Sequence, residues 1–144
     1  MSGPLKALGS IQEGNAAYAA GSYSNAVAQQ NAQQTQAQGE EEGSRIRAQA
    51  RATMGEAIAA QGGAGFQVGT GSNLEALRES AINGELDVLT TRHKAQLTAD
   101  SQRSSGALEL MKGKAARTAG YIGAATAIAT SAEKAATGGA GGGG

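Results

Sequence analysis

Ten residues near the middle of the chain, 62–71, hold five glycines: Gly62, Gly63, Gly65, Gly69 and Gly71. So dense a run does not stay helical, because glycine loses more backbone freedom on ordering than any other residue. On either side lie long stretches rich in Ala, Gln, Glu, Arg and Leu, which favour helix. The chain is therefore expected to be all-α, a long helical hairpin with its bend at 62–72. Ser72 followed three residues later by Glu75 reads as a capping box, and Leu74 and Leu77 open the apolar pattern of the second helix. Phe66 and Val68 are the apolar residues of the bend, expected to touch the hairpin or a neighbouring subunit.

Little else is large enough to build a core. Aromatic residues make up 3% of the chain, there is no Trp, and much of the 40% hydrophobic content is Ala. Ordering a residue costs roughly 1–2 kcal/mol of backbone entropy, so a chain this thin in bulky side chains needs help. Long helices with a narrow seam, completed by other subunits, offer it. Assembly into a homo-oligomeric ring or bundle is the expectation.

The hairpin is expected over 23–137. Residues 1–22 read as an N-terminal arm with a short helix, since Pro4 suits a first turn while Gly9, Gly14 and Gly21 weaken its continuation. The first long helix covers 23–61, capped by Ser22 or Ser24. Gly39 and Gly43 flank the acidic run 40–42 and are places for a kink. Glu41 and Glu42 precede Arg45 at helical spacing. Ile46, Ala50, Met54 and Ala57 form a thin apolar stripe. The second long helix covers 73–112, with one stripe through Leu74, Leu77, Ala81, Gly84 and Val88 and another through Ile82, Leu86, Leu89, His93 and Leu97. Two adjacent stripes suit a helix with more than one neighbour. The oligomer seam is assigned to Leu74, Leu77, Ala81, Gly84, Leu86, Val88 and Leu89, with Glu85, Asp87 and Arg92 as candidate inter-subunit ion pairs. Residues 138–144, nearly all Gly, read as a flexible tail.

Several function classes fall away. Twelve basic residues balance twelve acidic ones, so there is no overall field to hold nucleic acid. Arg45, Arg47 and Arg51 form a small basic cluster, as do Lys112, Lys114 and Arg117. These read as solvated helix faces, with subunit ion pairs or non-specific contact with a DNA backbone as the alternatives. No Cys is present, which removes disulfides and thiolate chemistry. His93 is the one histidine and has no convergent ligands or nucleophile at helical spacing. Gly69-x-Gly71 is no phosphate loop, for no strand precedes it and no Lys-Ser/Thr comes after it. Neither enzyme activity nor a cofactor nor a metal is expected. The first residues lack a basic region followed by an apolar run, so no secretory leader is expected either.

Residues 118–132 carry no charge. The stretch is shorter than the roughly 20 apolar residues of an ordinary spanning helix. Small residues nevertheless recur at four-residue spacing, Gly120 with Ala124 and Ala119 with Gly123, which lets helices approach closely in lipid. Gly120, Tyr121, Ile122, Gly123, Ala124 and Ile128 are the candidate membrane or close-packing residues. A tightly packed soluble oligomer and conditional membrane insertion both stay open.

In their order along the chain, several blocks resemble the small internal virion (core, or DNA-ejection) protein of short-tailed bacteriophages. They are Ser44-Arg45-Ile46-Arg47-Ala48-Gln49-Ala50-Arg51, the bend with Gly65-Phe66-Gln67-Val68-Gly69-Thr70-Gly71-Ser72, Leu74-Glu75-Ala76-Leu77, Gly84-Glu85-Leu86-Asp87-Val88-Leu89-Thr90-Thr91-Arg92, and Gly120-Tyr121-Ile122-Gly123. The likeness runs over about residues 40–130. It implies a protein packed inside the capsid near the portal, with itself and other core or ejection proteins as partners. It also implies release into the host envelope, where such proteins help build a conduit for DNA. Two other readings remain: a purely structural portal or head–tail adaptor of the virion, and a cellular coiled-coil interaction protein.

Overall fold

The computed structural model describes residues 3–64 and 71–138. Two helices account for nearly all of them: α1, Gly3–Gly63, and α2, Ser72–Gly138. Among the described residues there is no strand. The all-α hairpin is thus present. Two compact units divide it: a terminal unit formed by residues 1–30 with 102–144, and a bend unit formed by residues 31–101.

The expected arm at 1–22 is not a separate element, because α1 runs unbroken from Gly3 to Gly63. The glycines that weaken a helix in isolation are used here for packing. Gly14 and Gly21 are buried against α2 in the terminal unit, and tertiary contact outweighs a propensity penalty of about 1 kcal/mol each. In the bend unit Gly39 and Gly43 also lie buried within continuous helix, facing α2. The second helix likewise extends past 112, to Gly138.

The second boundary of the bend falls where the glycine run ends, while α1 continues through Gly62 and Gly63, two residues beyond the expected end at 61. The Ala64 N–H donates to Ala60 O at 3.1 Å, closing the last turn of α1. Gly71 sits at φ +66°, a left-handed conformation that glycine takes without a Cβ clash. Its carbonyl accepts from the Leu74 N–H at 3.1 Å. Glu75 lies in the first turn of α2, where a carboxylate favours the helix dipole. Phe66 and Val68 lie outside the described residues, and so does the side chain of Ser72.

In the terminal unit the seam is built of the smallest side chains. Along α1, Ala7, Gly14 and Gly21 are buried and Ala28 half-buried, seven residues apart. Along α2, Gly106, Gly113 and Gly120 are buried and Ala127 half-buried, again seven apart. The two sets oppose one another in antiparallel register. A methyl on Gly120 would lie 3.4 Å from Gly14 Cα, one on Gly21 would lie 3.4 Å from Gly113 Cα, and one on Gly106 would fall 2.6 Å from Ala28 Cβ. Backbone meets backbone: added methyls at Gly21 and Gly120 would overlap the carbonyl oxygens of Glu109 and Ser10. Ala124, also buried, continues this seam.

In the bend unit the inward positions keep a different beat. They fall at Gly39, Gly43, Ile46 and Ala50, then Met54, Ala57 and Gln61 on α1, and at Gly84, Val88, Thr91, Ala95 and Ala99 on α2. The steps run four, three, four, an eleven-residue period rather than seven. Gly39 opposes Ala95, and Ala50 opposes Gly84 with 3.1 Å to an added methyl. Ala32, Val88 and Ala99 are fully buried, and Val88 is the one large side chain buried to that degree among the described residues.

Candidate functional site

The bend unit collects most of the residues singled out from sequence. Val88 is buried, Leu77 and Gly84 half-buried, and all three face α1. Ala81, Leu86 and Leu89 do not share that seam. Ala81 is exposed, and Leu86 and Leu89 are each 54% exposed. The reason is angular: Leu86 stands two residues from both Gly84 and Val88, a rotation of about 200° on a helix of 3.6 residues per turn, and Leu89 stands two residues from Thr91 and about 100° from Val88. Ile82 and Leu97 stand the same way and are 55% and 57% exposed. Ile82, Leu86, Leu89, His93 and Leu97 therefore form an apolar stripe on the side of α2 that α1 leaves uncovered. Leu74 lies at its margin, 43% exposed. The outward positions of α1 in this unit offer no comparable stripe: Ala37, Glu41, Ser44, Ala48, Ala52 and Ala59 are small or polar, and Ile58, 42% exposed, stands alone.

Ion pairs flank the seam. Arg47 and Glu85 meet through two hydrogen bonds, Arg47 Nε donating to Glu85 Oε2 at 3.0 Å and a guanidinium nitrogen donating to Oε1. The hydrogen bond from Arg47 holds the Glu85 carboxyl below its ordinary range, and the same bond raises the Arg47 guanidinium. Arg92 pairs with Glu40. Glu85 and Arg92, expected to reach another subunit, are thus engaged within the chain. The cause is the antiparallel register, which brings the first basic cluster and the acidic run beside them. Asp87 and Lys94 make no ion pair among the described residues, and both line an open groove of about 650 Å³ between Met54, Ala57, Leu77 and Asn83. The basic clusters are partly neutralised: Arg45 pairs with Glu42 at 3.1 Å and Lys112 with Glu109 at 2.7 Å.

In the terminal unit the uncharged segment splits by face. Gly120 and Ala124 are buried against α1, and a methyl on Gly123 would lie 3.9 Å from Ser10. Of the two four-residue pairs of small residues, Gly120 with Ala124 is thus spent inside the hairpin, while Ala119 and Gly123 stay exposed. Tyr121, Ile122 and Ile128 are exposed. Among the described residues no helix is long and apolar enough to cross a membrane. Sequence reasoning missed the clamp on Arg117, whose guanidinium lies 5.0 Å from the centre of the Tyr18 ring and 5.8 Å from that of Tyr121. Arg117 also donates to the Tyr121 hydroxyl at 3.4 Å, and this hydrogen bond raises the guanidinium above its ordinary value. The Arg117–Tyr121 half was visible as an i,i+4 pair, whereas Tyr18 needed the hairpin register. That register was itself legible in the seven-residue recurrence of Gly and Ala at 7, 14, 21 and 28 and at 106, 113, 120 and 127.

Chemically the arrangement offers surfaces. Among the described residues no three acidic or histidine side chains gather as a metal site. Its resources are an uncovered apolar stripe, charged edges beside it, and a seam that holds two helices together with few bulky groups. No protein-family model, no curated protein and no solved structure matches the chain.

Proposed function

We propose that this chain is a non-enzymatic internal virion protein of a short-tailed phage. In this reading it is packed near the portal as a homo-oligomer and released into the host envelope, where it helps form a conduit for DNA. The observation that carries it is the seam. Among the described residues, the buried hydrophobic side chains are Ala7, Ala32, Val88, Ala99 and Ala124. A hairpin held by so little separates at low cost, as passage through a narrow tail requires. Zero net charge keeps such a protein from being trapped on the packaged genome. The exposed stripe on α2 gives it a face for other copies or core proteins. The test is the copy number and position of the chain in an intact particle. Multiple copies beside the portal, lost after ejection, support the reading; absence from the particle overturns it.

A second reading has its own support. Because no described helix is long and apolar enough to cross a membrane, a purely structural portal or head–tail adaptor fits equally well. Liposome flotation and leakage separate the two. Binding and leakage favour the conduit, and inertness across lipid compositions and pH favours the adaptor.

A further inference from the structure

We infer that the outer face of α2 in the bend unit, residues 82–97, is the contact between two antiparallel copies of this chain. The apolar stripe Ile82, Leu86, Leu89, His93, Leu97 is uncovered, while α1 in this unit exposes a single large aliphatic, Ile58, and no stripe. A contact that uses the same face on both chains is isologous, the commonest arrangement among homo-oligomers.

The charges select the direction. One edge of the stripe carries Glu85 and Arg92, the other Asp87 and Lys94. On each edge the acid precedes the base by seven residues, about two helical turns. In an antiparallel pair each edge faces its own copy reversed, so Glu85 lies toward Arg92 of the second copy and Asp87 toward Lys94 of the second copy. A parallel pair would set Glu85 beside Asp87 and Arg92 beside Lys94, like against like, which costs energy. Antiparallel pairing centred near Leu89 also places Ile82 against Leu97. It gives Asp87 and Lys94 the partners they lack within the described chain. Glu85 and Arg92 keep side-chain exposures of 50% and 32%, so they can share a second partner.

The face is only sixteen residues long, short beside the roughly 1,600 Å² of a standard interface, so the pair is weak. This contact does not rest on the virion reading and is distinct from the head-to-tail contacts that close a ring.

The chain has no cysteine, so single cysteines report orientation cleanly. Ile82→Cys and Leu97→Cys chains, mixed at about 100 μM under oxidation, are expected to form the mixed disulfide in preference to either self-disulfide. Sedimentation of the unaltered chain should show a monomer–dimer equilibrium. Leu86→Lys should weaken it at least about tenfold, because it buries a charge in place of a leucine. Asp87→Lys should weaken it too, and Asp87→Lys with Lys94→Asp should restore it. If Leu86→Lys loses helix content, the cysteine pairing decides alone. A chain monomeric up to about 1 mM, or one that self-links through Ile82→Cys while refusing Leu97→Cys, overturns the proposal. So does a chain that stays monomeric in solution and binds vesicles through this face. Failure here leaves particle location untouched, and a failed particle experiment leaves this contact untouched.

Discussion

The terminal and bend units use the same two helices and solve the packing problem differently. In the terminal unit, small residues recur every seven positions, and backbone lies against backbone from Gly14 with Gly120 to Ala28 with Gly106. In the bend unit the recurrence is eleven, and the seam admits Val88, Ile46 and Met54 together with the Arg47–Glu85 and Glu40–Arg92 pairs. A seven-residue beat slightly under-winds a helix and an eleven-residue beat slightly over-winds it, so the two seams favour opposite supercoil hands. Glycine contacts gain dispersion energy without side-chain entropy, but they tolerate no added atom. Side-chain contacts are more forgiving and respond to pH.

The two units should part most clearly when volume is added to the terminal seam. Gly120→Leu drives a side chain into the Ser10 carbonyl of α1 and is expected to destabilise by about 3 kcal/mol. Hydrogen exchange should lose protection first at residues 102–138 and 3–30. Equal loss at residues 84–99 would mean that the two units do not differ in this way. Second in size is Val88→Ala, expected to cost about 2 kcal/mol through a cavity in the bend unit and measured by urea unfolding. Smaller and opposite in sign is Gly55→Ala. Nothing lies within 4 Å of the new methyl, so helix propensity alone acts and should raise stability by about 0.5–1 kcal/mol. A loss there would show that the eleven-residue face is drawn wrongly.

The smallest effect is electrostatic and confined to the bend unit. Glu85 has its folded-state pKa lowered by Arg47, so its contribution is complete above the unfolded-state value. That contribution is lost as pH falls through the folded-state value. Glu85→Gln should flatten this acid limb in the bend unit while leaving exchange in the terminal unit unchanged. An acid limb of the same size in the variant would mean that the Arg47 pair contributes nothing, as many exposed pairs do.

Those contrasts also show which parts of the fold were legible. The glycine run at 62–71 located the bend, and helical spacing grouped Leu77, Gly84 and Val88, read as positions of an oligomer seam, on the face that meets α1 of the same chain. Propensity misled at 1–22, because Gly14 and Gly21 weaken a helix until a second backbone lies against them. Leu86 and Leu89 were grouped with Val88 because spacing along one helix gives faces, not neighbours. Only the partner helix decides which face is covered. Glu85 and Arg92 were identified as pairing residues, but their partners Arg47 and Glu40 depend on a register that no single helix encodes.

The stacking of Arg117 between Tyr18 and Tyr121 has a spectroscopic consequence. The chain has no Trp, and its three tyrosines, Tyr18, Tyr23 and Tyr121, all belong to the terminal unit. Intrinsic tyrosine emission therefore reports on one unit alone, and two of its three emitters sit beside a cation whose departure changes their surroundings. Far-ultraviolet circular dichroism counts both units. Melting curves from the two methods will coincide if the units unfold together and separate if they do not, so the unaltered chain carries its own optical test of cooperativity.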